Sequence, residues 1–416
     1  MPRLAVLSMH TSPLTQPGTG DGGGMNVYVR ELSAALARSG VECEVFTRTE
    51  SVESPPVVDV EPGFRVHHIP AGPRCPVAKE HLPELVAAWT RGVGARLSSL
   101  AAAGRPVDAI HANYWLSGLA GHALKHQLGL PLLVTFHTLD RVKADFSPEE
   151  IFSEEPARRA EAEAAIVGCA DAVVASCSVE ANQLVELYGA DAERIVIVAP
   201  GVDHAFFSPG DQAQARRALG LRPEVPVVLF AGRIQPLKGL TVAVDALASV
   251  REEGVLGTLV VLGGPSGPHG EEEVADVKRR VAAHGLERAV TLLPPQRHEI
   301  LSTFYRASDV CVVPSHSESF GLVALEASAC GIPVVASAVG GLTTLVDDGR
   351  TGFLVEGRSA GDYARPLAAL LGDPGFARRL GRAGAERAGA YTWQAAATAL
   401  WDRVDDLTFA VLVACG

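Results

Sequence analysis

No apolar run in this 416-residue chain approaches the ~18 residues that a membrane-spanning helix needs. The opening "MPRLAVLSMH" is too short and too strand-like for a secretion signal, so a cytoplasmic protein with no membrane partner is expected. Metal-binding spacings are missing as well. The seven cysteines (Cys43, Cys75, Cys169, Cys177, Cys311, Cys330, Cys415) are scattered, form no CxxC or Cys/His pattern of the kind that holds zinc, and read as reduced, mostly core residues. Positive charge is in deficit: 36 Lys and Arg against 48 Asp and Glu give a net charge of −12. That argues against nucleic acid as a partner, because a phosphate backbone wants a basic face. Any bound anion must be held locally.

What the chain does have is core. At 47% hydrophobic and 20% charged residues it can bury a large interior, and its length favours two domains. Apolar, β-rich runs alternate with Ala/Leu/Arg/Glu segments of helical period, the pattern of parallel sheets covered by helices. The first series of strands is "RLAVLSM", "VECEVFT", "FRVHHI", "AIHA", "PLLVTFH" and "AVVASC"; the second is "VPVVLFAG", "GTLVVLGG", "AVTLLPP", "VCVVPS" and "PVVAS". Between them "RIVIVAPGVDHAFFSPGDQ" is a strand-like run that dissolves into Pro, Gly and Asp and reads as an inter-domain linker. The expected fold class is α/β, two doubly wound domains.

Three stretches carry chemistry. "HTSPLTQPGTGDGGGMNVY" places Gly23 and Gly24 at a strand-to-helix turn, where unpaired N–H groups and the positive helix end receive a phosphate. The spacing is not GxGxxG and no acidic residue ends the next strand, which disfavours a nicotinamide-dependent dehydrogenase. "FAGRIQPLKG" sets Arg233 and Lys238 just past a strand, two cations suited to a diphosphate. "PSHSESFGLVALEASACGIPVVAS" places Glu318 on a loop and Glu326 eight residues on, near one face of the following helix. Carboxylates accept from vicinal hydroxyls, so the pair suits a hexose and a ribose, with the amides of Ser319, Phe320 and Gly321 facing the same ligand.

"GRIQPLKG", "ESFGLVALEA" and "GIPVVASAVGG" together resemble the donor-site signature of the family 4 retaining glycosyltransferases. The opening stretch, with "YWLSG" and "GGPSG", is similar to the actinobacterial branch of that family which opens mycothiol synthesis by joining N-acetylglucosamine from a UDP donor to 1D-myo-inositol 3-phosphate. The resemblance covers nearly the whole chain and implies the GT-B fold: two Rossmann-like domains facing across a cleft. Residues 1–203 would form the acceptor domain, joined by a last helix at about 394–416 that crosses back, and 204–393 the nucleotide-sugar domain.

Residue by residue, the resemblance implies that Arg233 and Lys238 bind the diphosphate, with the Gly24 amide near it, and that Gln16 and Gly23 also belong to the donor site. Gln296 falls where the base is read largely by backbone, Glu318 on the donor sugar's hydroxyls and Glu326 on the ribose, with Ser319, Phe320, Gly321 and Leu322 also in the donor site. His10, Asp21 and Asn26 match inositol contacts; Lys79, Tyr114, Thr138 and Arg159 match the grip on the acceptor phosphate. His137 matches the histidine beside the donor sugar, which serves through its carbonyl and the sugar's 6-hydroxyl. The catalytic set is then His137, Arg233, Lys238 and Glu318. Neither a carboxylate nucleophile nor a DxD-like metal motif is found, so front-face attack with retention is expected, with no cofactor required and at most a structural Mg2+. A homodimer is expected.

Four neighbours depart from the family's usual acceptor-side pattern: Arg74, Cys75, Asn113 and Ala144. An antibiotic-pathway enzyme using another nucleotide sugar, for instance GDP-linked, and a thiol or thione acceptor such as ergothioneine therefore stays open. A non-catalytic nucleotide-binding module is the remote alternative.

Overall fold

Short runs of β-branched and aliphatic residues, bounded by Gly, Pro and Asp, form fourteen strands in the computed structural model, which describes residues 1–18, 22–144 and 155–415. The chain divides into two compact units. One holds residues 1–15, 24–200 and 393–416, and the other 16–23 and 201–392.

In the first unit eight strands make one sheet: β1 (Arg3–Leu7), β2 (Glu42–Arg48), β3 (Val57–Glu61), β4 (Phe64–Ile69), β5 (Ala109–Asn113), β6 (Leu132–Thr135), β7 (Ala172–Ala175) and β8 (Ile195–Ile197). Their order is β3-β4-β2-β1-β5-β6-β7-β8, parallel except for the β3–β4 hairpin at one edge. Every residue of β1 is buried, as a central parallel strand covered on both faces must be. The helix Gly24–Arg38 buries Tyr28, Val29, Leu32 and Leu36, a stripe at helical spacing. That stripe shares a core with Leu4 and Val6 of β1 and with Trp393, Leu400 and Val404 of the helix Trp393–Thr408.

The second unit carries β9 (Val227–Ala231), β10 (Thr258–Leu262), β11 (Val290–Leu293), β12 (Val310–Val313), β13 (Val334–Ser337) and β14 (Gly352–Val355). The order is β11-β10-β9-β12-β13-β14, all parallel. Val228 and Phe230 of β9 pack with Val310 and Val312 of β12, and with Ala243 and Leu247 from one helix and Leu367 and Leu371 from another. The α/β class expected from the alternation is the one found.

Several readings of the sequence are corrected. The strand-like start of "RIVIVAPGVDHAFFSPGDQ" is the edge strand β8, and β3 (VVDVE) and β14 (GFLV) are strands beyond those expected from the sequence. The cysteines are not all reduced: a disulfide joins Cys169 and Cys415, whose 246-residue separation hides a Cα distance of 5.2 Å. Cys43, Cys177, Cys311 and Cys330 are buried thiols, and Cys75 is exposed. Among the described residues no helix is long and apolar enough to cross a membrane. The closing run "LTFAVLVACG" begins in the helix Trp393–Thr408 with buried Leu407, and Phe409 and Val411 stand in solvent.

Candidate active site

Open parallel sheets bind ligands beyond the carboxyl ends of their strands, where the strand order reverses. In the first unit that point lies between β1 and β5, from which the chain winds outward in opposite directions. His10 follows β1, Tyr114 follows β5, and His137 and Thr138 follow β6. The rings of His10 and Tyr114 are 4.3 Å apart. Among the described residues, the two non-glycines with positive φ are Tyr114 (76°) and His137 (62°). A bulky side chain there costs on the order of 1–3 kcal/mol, and such strain collects where a ligand needs a backbone turned toward it.

Arg159 reaches the same place from the helix Glu155–Cys169. Its guanidinium lies 5.0 Å from the centre of the Tyr114 ring, and Nη2 donates to Thr138 O at 2.7 Å and to Thr138 Oγ1 at 3.1 Å. Nε donates to Glu163 Oε1 at 2.7 Å, one turn along the helix. Burial works against the Arg159 charge, but Tyr114 and Glu163 outweigh it and hold the guanidinium above its ordinary pKa. It is therefore a fixed cation.

His137 Nε2 donates to Asn113 Oδ1 at 2.9 Å, and its ring meets Tyr28 edge-on at 4.8 Å. Burial, then the neighbouring His111, push its pKa down to about 3, so it is a neutral hydrogen-bonding group and not an acid. Asn26 turns inward and holds the loop before it, Nδ2 donating to Thr11 Oγ1 and Ser12 O at 2.6 Å each. Lys79 opens the 3-10 turn Lys79–Leu85 and is half-buried, and Asp21 lies outside the described residues. Glu163 was not singled out in the sequence, and Asn113 only as a departure from the family's acceptor-side pattern. Glu163 had a signal, four residues past Arg159 in "RRAEAE", whereas nothing local pairs Asn113 with His137.

In the second unit the order reverses between β9 and β12. The loop after β9 carries Arg233 and Lys238, and the loop after β12 carries Glu318. Lys238 Nζ donates to Glu318 Oε2 at 2.5 Å, Ser315 Oγ donates to the same oxygen at 3.5 Å, and His316 N to Leu237 O at 2.8 Å fastens the two loops. His316 was also not singled out; burial, then Arg358, lower its pKa. A Cβ built on Gly23 would stand 3.3 Å from Arg233 Nε, so the guanidinium rests against the glycine turn of the 16–23 segment. Gln16 of that segment is exposed. Gln296 donates from Nε2 to Pro294 O at 2.7 Å within its own loop. In the first unit, Gly24 is exposed at the start of its helix.

Gly321 precedes the helix Leu322–Ala329, with Ser319 and Leu322 half-buried and Phe320 buried 5.9 Å from the Tyr391 ring. Gly340, at φ +48°, passes so close that a Cβ would fall 1.8 Å from Glu318 O, and Gly341 N donates to that oxygen at 3.1 Å. Neither backbone can give way. Gly340→Ala is expected to weaken nucleoside-diphosphate binding at least about tenfold and to lower Tm by several degrees, through strain of order 1–3 kcal/mol. Calorimetry with and without nucleotide checks this, and unchanged binding would detach the Glu318 loop from the site.

Glu326 is 7% exposed and Oε2 accepts from Tyr305 Oη at 2.9 Å. Burial pushes its pKa up to about 7 from 4.5, against the lowering effect of Tyr305. Between those values the folded protein holds a proton that the unfolded chain has released, so stability falls as pH rises from about 4.5 to 7, by about 3 kcal/mol at most. Glu326→Gln is expected to abolish that part of the pH dependence in denaturant titrations; parallel curves for variant and parent would contradict the assignment.

Comparison with known proteins gives the family and the fold. Residues 23–201 match the "Glycosyl transferase 4-like domain" and residues 211–387 match "Glycosyl transferases group 1". The chain is 46% identical to a D-inositol 3-phosphate glycosyltransferase of Actinosynnema mirum, over 94% of each chain. It is 48% identical to one of Xylanimonas cellulosilytica, over 96% of each. Among solved structures, sucrose-phosphate synthase from Thermosynechococcus elongatus is similar at TM-score 0.89 and 34% identity, covering 98% of this chain and 99% of the other. HepE of Anabaena, solved with UDP and glucose, shares the fold at TM-score 0.75 and 20% identity, over 98% of this chain and 100% of its own.

Proposed function

The chain belongs to the group 1 glycosyl transferases of the GT-B fold, and within that family we propose that it moves N-acetylglucosamine from a UDP donor to 1D-myo-inositol 3-phosphate with retention at the anomeric carbon. The observation that carries the reading is the Lys238–Glu318 pair at the reversal point of the second sheet, in the unit where Arg233 lies against Gly23. Cations there neutralise a departing diphosphate, and a carboxylate there accepts from sugar hydroxyls. The names of the relatives support the acceptor, and the Arg159, Thr138 and Tyr114 cluster supports an anionic one.

In this mechanism the acceptor hydroxyl forms its bond to the anomeric carbon on the face from which the diphosphate leaves. The β-phosphate oxygen takes the hydroxyl proton as the carbon–oxygen bond to the diphosphate breaks. Arg233, Lys238 and the amides of Ser319, Phe320 and Gly321 stabilise the charge that builds on the leaving group. Glu318 orients the sugar and Glu326 the ribose. His137, neutral, is assigned the sugar's 6-hydroxyl, and its carbonyl the cationic anomeric centre. A cytoplasmic homodimer that needs no metal for the transfer completes the proposal.

A second reading rests on the exposed Arg74 and Cys75, whose loop is held by buried Arg48 donating to Pro73 O and Cys75 O at 2.9 Å each. A loop so fixed suits a zwitterionic thiol or thione acceptor. Turnover of nucleotide sugars with inositol 3-phosphate and with such thiols, read by mass spectrometry, distinguishes the two.

A further inference from the structure

Four side chains that the transfer does not use meet in the first unit. His122 and His126 stand four residues apart on one face of the helix Trp115–Leu128, their ring centroids 5.1 Å apart. Cys169 ends the helix Glu155–Cys169, and Cys415 arrives from the segment that follows Trp393–Thr408. One ligand atom from each lies within 4.8 Å of the other three. His126 Nε2 is 3.1 Å from Cys415 Sγ and 3.4 Å from Cys169 Sγ. Around a tetrahedral zinc ion, bonds of about 2.3 Å to sulfur and 2.0–2.1 Å to nitrogen set ligand atoms about 3.3–3.8 Å apart. The two His126–sulfur separations lie close to that range, whereas the two sulfurs, bonded to each other here, must part to about 3.8 Å to share the ion.

We propose that His122, His126, Cys169 and Cys415 form a Cys2His2 structural zinc site, and that the Cys169–Cys415 disulfide is the oxidised, metal-free alternative of the same two sulfurs. Two thiolates with two imidazoles select a borderline-soft ion such as zinc over a hard one such as magnesium. The states exclude each other, since each zinc–sulfur bond uses a thiolate and a disulfide has none. On binding zinc the two thiols release their protons to solvent and both imidazoles coordinate as neutral bases. On oxidation by a small disulfide, RSSR takes up the two thiol hydrogens as 2 RSH while the Sγ–Sγ bond forms.

The frame that brings the sulfurs together does not depend on either state. Lys125, buried on the helix that carries the two histidines, donates from Nζ to Cys169 O at 2.7 Å and to Asp171 Oδ1 at 2.8 Å. The same Asp171 oxygen accepts Val413 N at 2.7 Å, which docks the segment bearing Cys415. These bonds fix the backbone that carries Cys169 and the segment that carries Cys415. Spacing rules miss the site because its ligands come from three separate elements.

The test uses the full chain, reduced with a phosphine, stripped with EDTA and titrated anaerobically with cobalt(II), then zinc. One equivalent of cobalt with the intense visible bands of a tetrahedral centre and thiolate charge transfer is expected, displaced by zinc. Affinity should fall at least about 100-fold in Cys415→Ser and in His126→Ala, and stay unchanged in Cys75→Ser. Zinc should raise the Tm of the parent and not that of Cys415→Ser. A weak octahedral spectrum, or equal binding by Cys415→Ser, would overturn the proposal. So would a reduced chain that takes up no metal while the untreated chain is two hydrogens lighter, which would leave a disulfide only.

Discussion

Lys238→Ala is expected to lower kcat by about 10²–10³-fold, the loss typical of removing one donor from a site that stabilises developing negative charge. Stability should hardly change. Lys238 and Glu318 are 23% and 19% exposed at the side chain, and a pair that still reaches water contributes on the order of 1 kcal/mol to folding. Glu318→Gln, which keeps shape and one acceptor but loses the charge, should raise KM for the nucleotide sugar as well as lower kcat. Steady-state rates alongside thermal melts check both variants. A large fall in Tm with an unchanged rate per folded molecule would make the pair a structural contact and remove it from the chemistry.

Arg159→Ala is expected to erase the preference for inositol 3-phosphate over inositol. Each charge-assisted hydrogen bond lost from the phosphate is worth about 1.5–3 kcal/mol, so two of them correspond to a preference of at least about 10²-fold in kcat/KM. The substitution also strips buried Glu163 of its cation, leaving it with Tyr188 and the Asp140 amide, and so costs stability. Taking the ratio of the two acceptors cancels any inactive fraction. Arg159→Lys, which keeps the charge and loses the planar fork, should retain part of the preference. A ratio unchanged in Arg159→Ala would place the acceptor's charge elsewhere.

The strands nearest the chemistry were legible because they sit at the centre of a sheet. β1, β9 and β12 are buried almost throughout and read as largely apolar runs, and His10, Arg233 and Glu318 lie in the loops that follow them. Edge strands such as β3, exposed along much of its length, leave no such run. Partnerships across the fold were not legible. Local period shows that Glu326 lies on a helix, but not that it will be buried beside Tyr305, nor that burial will shift its titration toward neutrality in spite of that hydrogen bond. Nor does it show that Gly340 must be bare because Glu318 O lies against it. The pairing of Cys169 with Cys415 is the extreme case, since it depends on where the chain returns after the whole second unit.

The most direct test of the account is the product itself. With UDP-N-acetylglucosamine and 1D-myo-inositol 3-phosphate, the protein should yield one new compound, heavier than the acceptor by one N-acetylhexosamine residue, with the α-anomeric configuration of the donor by proton NMR. Absence of that product, together with turnover of a zwitterionic thiol or thione from the same nucleotide-sugar panel, would contradict the acceptor assignment; an inverted anomeric centre would contradict the mechanism.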